Sequence, residues 1–183
     1  MLFRSATNLC RAMRIIGFHR DGGLAEYLSA PKQSLVPVPG GLPGHLACLA
    51  EPLACGINAL EQLSLKSGES LLIFGAGPVG LLMAMAAGTL GASPVLRDIA
   101  ADKQVRTRPF RRRIDAGWSD PSDQRRFDAA VNAAPATATF INGLKRLSPG
   151  GRFCLFSGLT DGGTIDPATL NEIHYRQLRI AGA

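Results

Sequence analysis

Gly75, Gly77 and Gly80 stand in the spacing G-x-G-x-x-G, with Ala76, Pro78 and Val79 between them. Each glycine has a physical task in such a turn. Gly75 allows a tight reversal, Gly77 lets bare backbone approach an anion, and Gly80 lets a helix pack closely on the strand before it. Pro78 opens that helix where its missing N–H costs nothing. The N–H groups of Val79 and Gly80, with the positive end of the helix dipole, suit a pyrophosphate. Asp98 follows Gly80 by eighteen residues, close to the spacing of about 20 at which a carboxylate meets the adenosine ribose. The chemistry is therefore dinucleotide binding. A carboxylate that accepts from a ribose 2′-OH and repels a 2′-phosphate favours NAD over NADP, although Arg97 and Lys103 supply cations that would offset the repulsion.

Elements that can position these residues lie on both sides. Leu71–Phe74 reads as a strand buried on both faces. Pro78–Leu90 is an uncharged helix closed by Gly91, and Ser93–Leu96 forms the next strand. The competing readings are a structural glycine turn with no ligand and a membrane span, because Leu71–Leu96 is 26 residues without a charge. Five glycines and two prolines interrupt that run, and strand, turn and helix explain where they fall. Further on, Ala100–Arg113 should hold a crossover helix broken by Pro109. Phe127–Ala133 reads as a strand, Thr137–Leu147 as an amphipathic helix ended by Ser148-Pro149-Gly150-Gly151, and Arg152–Ser157 as a strand running into Gly158. Gln177–Ala181 is a further strand. Strands alternating with helices predict an α/β fold: a Rossmann-type parallel sheet with right-handed crossovers.

The N-terminal part has a different texture. Asp21-Gly22-Gly23 signals a turn, Leu24–Ala30 continues as a strand, and Leu35–Gly41 is extended and broken by prolines. His45–Leu63 is helical, with Pro52 in the first turn of a new helix and Glu51 just ahead of it. This predicts a β-rich segment over 1–44 and a nucleotide-binding domain over 45–183.

At 183 residues and 46% hydrophobic, the chain can bury one good core. Cys10, Cys48, Cys55 and Cys154 make no C-x-x-C pair and no disulfide-like spacing, which suits a reducing cytoplasm. Of the net charge of +6, most falls between Arg97 and Arg126, where nine Lys/Arg face five Asp. No aromatic interleaving or zinc-finger spacing accompanies that charge, so it reads as a solvated face and not as a nucleic-acid site.

Six strings carry a resemblance over nearly the whole chain: Asn8-Leu9-Cys10, Gly17–Tyr27, Leu49–Cys55 (Leu-Ala-Glu-Pro-Leu-Ala-Cys), Gly75–Leu82, Pro149–Gly151 and Asn171–Leu178. On these the chain resembles the zinc-type medium-chain dehydrogenase/reductases of the alcohol dehydrogenase superfamily, in the threonine/sorbitol dehydrogenase-like branch. The resemblance implies a GroES-like catalytic domain carrying zinc and a Rossmann domain. It implies hydride transfer between a secondary alcohol or polyol and NAD, with zinc favouring the alkoxide. It would give the pyrophosphate to Gly75, Gly77, Pro78, Val79 and Gly80, the ribose to Asp98, and the nicotinamide side to Gly158 and Leu159. Glu51 would lie at the catalytic zinc, or else is simply a helix-start carboxylate. Cys10 would match the last cysteine of a structural zinc lobe. Homo-oligomers are a further family expectation.

The departures weigh as much as the matches. The family's first zinc-ligand cysteine and its His-Glu pair have no counterpart in this sequence, and His19, His45 and His174 lack partners at metal-ligand spacing. The basic stretch Lys103–Arg113 departs from the family's crossover helix. The chain thus reads as a piece of a dehydrogenase, its Rossmann part stopping early, with no catalytic residue assignable. A non-catalytic NAD(P)-binding module and an inactive fragment are the alternatives.

Overall fold

The computed structural model describes residue 10 and residues 12–183; Asn8 and Leu9 of the first matching string lie outside them. The chain divides into two compact units, Met1–Pro43 and Gly44–Ala183.

In the first unit, among the described residues, an isolated bridge joins Ile16 and Arg20 and a single 3-10 turn covers Lys32–Ser34. The N–H of Ile15 donates to Nδ1 of His19 at 3.0 Å, so that imidazole is a local turn contact. The strand expected over Leu24–Ala30 is not there; the backbone bends instead, and Leu24 and Tyr27 are exposed. A lone segment has no ladder partner to satisfy its backbone, and the proline-broken Leu35–Gly41 likewise stays irregular.

The second unit is built on six parallel strands: β1 (Ser70–Phe74), β2 (Ser93–Arg97), β3 (Gly117–Trp118), β4 (Phe127–Asn132), β5 (Leu147–Leu155) and β6 (Arg179–Gly182). Their order across the sheet is β3-β2-β1-β4-β5-β6, and every pairing is parallel. Helices α1 (Gly44–Ala47), α2 (Ala50–Gln62), α3 (Pro78–Thr89), α4 (Ala101–Arg106), α5 (Arg108–Arg113), α6 (Thr137–Arg146) and α7 (Pro167–Tyr175) complete it.

Alternation along the central strands supplies two cores. Leu71 and Ile73 of β1, with Leu96, Ala129 and Val131, pack on Leu60 and Leu63 and on Met83 and Ala87 of α3. Leu72 and Phe74, with Val95, Ala130 and Phe153, pack on Phe140 and Leu144 of α6 and on Leu178. Burial on both faces explains the unbroken apolar run of β1.

Four differences from the sequence reading have local causes. The crossover after β2 is two short helices parted at Thr107, with Pro109 placed in the first turn of α5. Arg111, in the densest basic stretch, is buried: it donates to Thr107 Oγ1 at 3.1 Å and Gln104 O at 2.9 Å, and stacks 4.9 Å over Trp118. The segment Ser148–Gly151 does not separate helix from strand. β5 begins at Leu147, paired with Phe127, and its register with β4 then jumps so that Ala129 faces Arg152. Before β6, α7 is capped by Asp166, whose carboxylate accepts from the N–H of Thr169 at 2.9 Å and from its hydroxyl at 2.7 Å.

Candidate dinucleotide-binding site

Between β1 and β4 the strand order reverses direction, which opens a crevice at the carboxyl ends of the strands. The glycine turn lies there. Gly75 leaves β1 with φ +115°, and a Cβ on it would come within 2.8 Å of the Ala133 carbonyl oxygen. Both backbone angle and space therefore demand glycine. A Cβ on Gly80 would stand 2.0 Å from the carbonyl oxygen of Gly75, so the first turn of α3 lies directly against the strand end. Gly77 differs. It is extended (φ −83°, ψ −178°), and a Cβ there would meet no atom within 4 Å. Its missing side chain serves nothing inside the protein and leaves the backbone open to a ligand. Gly77 caps α3 without any side-chain hydrogen bond, Pro78 occupies the first turn, and no acidic residue lies in that turn. The orphan N–H groups of α3 thus have no side-chain cap, an arrangement that suits an anion.

Asp98 follows the end of β2, and its side chain is only 7% exposed. Oδ2 accepts the N–H of Ala76 at 2.8 Å and the ammonium of Lys103 at 2.9 Å; Oδ1 accepts the N–H of Ala100 at 3.0 Å. Burial pushes this carboxyl up, but the N–H of Ala100, Lys103 and the N–H of Ala76 together outweigh it. The carboxyl titrates below the ordinary value of 3.8. Oδ1 carries one hydrogen bond and keeps a lone pair for a further donor.

Beside Asp98 is a cavity of about 250 Å³. Phe74, Gly75, Arg97 and Ile99 line one side, and Ala134, Ala136, Ala138, Thr139 and Asn142 the other. Gly158 and Leu159 follow β5; Gly158 is exposed, and Leu159 packs partly on the second core.

One residue not singled out in the sequence governs this end of the sheet. Asn132 is fully buried at the end of β4. Its Oδ1 accepts the N–H of Phe156 at 2.8 Å, and its Nδ2 donates to the carbonyl oxygens of Ser157 at 2.8 Å and Ala134 at 3.3 Å. That amide ties the exits of β4 and β5 together, just ahead of Gly158. A polar residue closing an apolar strand was the available signal.

The metal candidates are Glu51 and Cys10. Glu51, in the first turn of α2, is exposed, and its Oε1 accepts the Cys55 thiol at 3.6 Å. Burial, and then the Glu51 carboxylate, push that thiol up. Cys10 is exposed in the first unit. Among the described residues no three His, Cys, Asp or Glu side chains come together as a metal site needs. Nor is any helix among them long and apolar enough to cross a membrane.

No family model matches the chain. It is 33% identical over 186 residues to an uncharacterized zinc-type alcohol dehydrogenase-like protein of Haemophilus influenzae, covering 97% of this chain and 54% of the relative. It is 38% identical over 132 residues to the L-galactonate-5-dehydrogenase of Escherichia coli, covering 69% of this chain and 36% of that enzyme. Among solved structures, galactitol-1-phosphate dehydrogenase from Escherichia coli superposes with a TM-score of 0.86 over 96% of this chain and 54% of that one, at 23% identity, a likeness of fold. A zinc-binding dehydrogenase assignment from Sinorhizobium meliloti, bound to NADP, superposes with a TM-score of 0.81 at 28% identity over 96% of this chain and 55% of that one. The chain spans about half the length of the relatives it matches along most of its length. Its matching strings, six-stranded parallel sheet and relatives agree, and the chain belongs to the zinc-type alcohol dehydrogenase superfamily of medium-chain dehydrogenase/reductases.

Proposed function

We propose that this chain is the nucleotide-binding part of an NAD-dependent alcohol or polyol dehydrogenase, with residues 1–44 a remnant of the GroES-like catalytic domain. The observation that carries the reading is the pairing of an open Gly77 with a clasped Gly75 and Gly80. The fold requires two of the three glycines; the third meets nothing inside the protein, and close approach of a ligand would account for it. The N–H groups at the start of α3 hold the pyrophosphate, and Oδ1 of Asp98 accepts from the adenosine ribose. Gly158 and Leu159 flank the nicotinamide, with Asn132 keeping their loop in place. Bound NAD would supply the hydride acceptor for a secondary alcohol, the substrate class that relatives named for L-galactonate, D-altritol and sorbitol suggest.

The donor set does not fit a catalytic zinc. Among the described residues Glu51 has only the Cys55 thiol as a potential co-ligand in contact. This favours, as a second reading, an NAD(P)-binding module without zinc chemistry in the chain itself.

Fluorescence titration of the full chain with NADH and NADPH tests the proposal. NADH binds more tightly, and Asp98→Ser levels or reverses the order. Equal affinities in the unmutated chain overturn the choice of NAD, and binding of neither overturns the dinucleotide site.

A further inference from the structure

The segment that follows β5 is fastened at a second point, beyond Asn132. Helix α6 has no cap of its own: Ala136 stands at its N-cap without a side-chain hydrogen bond, and no acidic residue lies in its first turn. The missing acceptor comes from twenty-four residues later in the chain. Oδ2 of Asp161 accepts the N–H of Thr137 at 2.9 Å, and Oδ1 accepts the buried Thr137 hydroxyl at 2.5 Å. A carboxylate at this place also meets the positive end of the α6 dipole. The Thr137 hydroxyl, and then its N–H, hold the carboxyl below the ordinary value of 3.8.

The chain on either side of Asp161 is docked on the same element. The N–H of Thr160 donates to the carbonyl oxygen of Pro135 at 3.1 Å. The N–H of Gly163 turns back to Oδ1 of Asp161 at 3.3 Å. A Cβ on Gly163 would come within 2.6 Å of the Cβ and Oγ1 of Thr137, so the returning limb lies flat against that threonine and only glycine allows it. Gly158 and Leu159 lie between two ties, Asn132 to Ser157 before them and Asp161 to Thr137 after them. Gly158 has no side chain to anchor it, and Leu159 is only partly packed on the second core. Their course therefore depends on both ends being held.

We infer that Asp161 is a positioning residue, whose clasp on Thr137 holds Gly158 and Leu159 in the course that receives the nicotinamide half of the dinucleotide. This rests on the proposed dinucleotide site and adds to it the second anchor of that segment. A segment held at both ends is ordered before the cofactor arrives. Held at one end only, it takes other courses, and the apparent affinity falls by the fraction of time spent in the competent one.

The test compares, on the full chain, NADH with 5′-AMP, which has the adenosine and one phosphate but no nicotinamide. Asp161→Ala removes the acceptor, and Gly163→Ala forces the loop off Thr137 without removing a hydrogen-bonding group. Each weakens NADH about fivefold, the result of a segment that keeps its course about a fifth of the time. Neither changes the affinity for 5′-AMP. Thr137→Ser keeps both donors and binds NADH as the unmutated chain does. A role in capping α6 alone would lower stability but leave the ratio of NADH to 5′-AMP affinity unmoved, so equal losses for the two ligands overturn the inference. Unchanged NADH affinity in both alanine variants also overturns it, while leaving the dinucleotide site standing. An unmutated chain that binds neither NADH nor 5′-AMP removes the site and the part of Asp161 in it together.

Discussion

The carboxylate of Asp98 accepts the N–H of Ala76 at 2.8 Å. The residue that follows β2 thus holds the turn that follows β1, twenty-two positions earlier. The acid read from spacing as a ribose ligand is also a staple of the glycine turn, and Lys103 neutralises it. On the proposed reading Asp98→Ser therefore does two things at once: it removes the carboxylate proposed for the ribose and loosens the glycine turn. A variant that keeps the acceptor to Ala76, Asp98→Asn, separates the two. Asp98→Asn keeps more NADH affinity than Asp98→Ser in the same titration.

The glycines part company under mutation. Gly80→Ala forces a Cβ into the Gly75 carbonyl, which it would meet at 2.0 Å. Urea unfolding shows a loss of about 2–3 kcal/mol, the cost of overpacking against backbone. Gly77→Ala meets nothing within 4 Å. It changes stability by less than about 0.5 kcal/mol, yet weakens NADH at least as much as Gly80→Ala does. A Gly77→Ala chain with full NADH affinity removes the ligand from this turn.

Asn132 is fully buried with three hydrogen bonds. Asn132→Ala leaves the N–H of Phe156 without its acceptor and costs about 2–4 kcal/mol in urea unfolding. Loss of the tie between β4 and β5 also raises proteolytic cleavage around Gly158. Stability within 1 kcal/mol of wild type would contradict a positioning role for this amide.

Acid stability follows from the direction of the carboxylate shifts. The carboxyls of Asp98, Asp123 and Asp128 all titrate below the ordinary value of 3.8 in the folded chain. For Asp98 burial works upward and is outweighed by its N–H and ammonium donors. For Asp123 the Arg125 guanidinium leads, and for Asp128 the N–H and hydroxyl of Ser70. A group whose folded pKa lies below its unfolded one contributes stability that is fully present above the unfolded value. That stability is lost as pH falls through the folded value. Unfolding free energy is therefore flat with respect to these groups above about pH 5 and falls below about pH 4. Asp98→Asn makes that fall shallower.

The thiols report on the fold. Cys154 is buried in the first core, and burial pushes its thiol up to about 11. Cys10, Cys48 and Cys55 are exposed. A thiol reagent at pH 8 therefore titrates three cysteines in the native chain and the fourth only in guanidinium, since the thiolate is the nucleophile. Elemental analysis of the purified chain accompanies this, with less than one zinc per chain expected. One tightly held zinc lost in Glu51→Ala would return the catalytic metal to this chain.

Much of the local geometry of the candidate site was legible in the sequence. The spacing of Gly75, Gly77 and Gly80 after an apolar strand is a local pattern, and local backbone geometry reads it directly. The same holds for Pro52 and Pro78 at helix starts and for Gly91 after α3, each tied to a fixed backbone angle or a missing N–H. Where local signals were weak the reading failed. Leu24–Ala30 has strand-like residues but no partner strand, β3 has only two residues, and α7 was missed although Asp166-Pro167 marks its start.

By itself the sequence determined the α/β alternation, the parallel sheet, the glycine turn after β1 and the acid that follows β2. These depend on periodicity and on residues that act through their own backbone. The tertiary structure alone decided which groups face one another: Asp98 with Ala76 and Lys103, Asn132 with the exit of β5, and Asp161 with Thr137. Those pairings follow from the strand order, which brings β2 and β4 to either side of β1. No spacing along the chain encodes an adjacency that exists only once the sheet has formed.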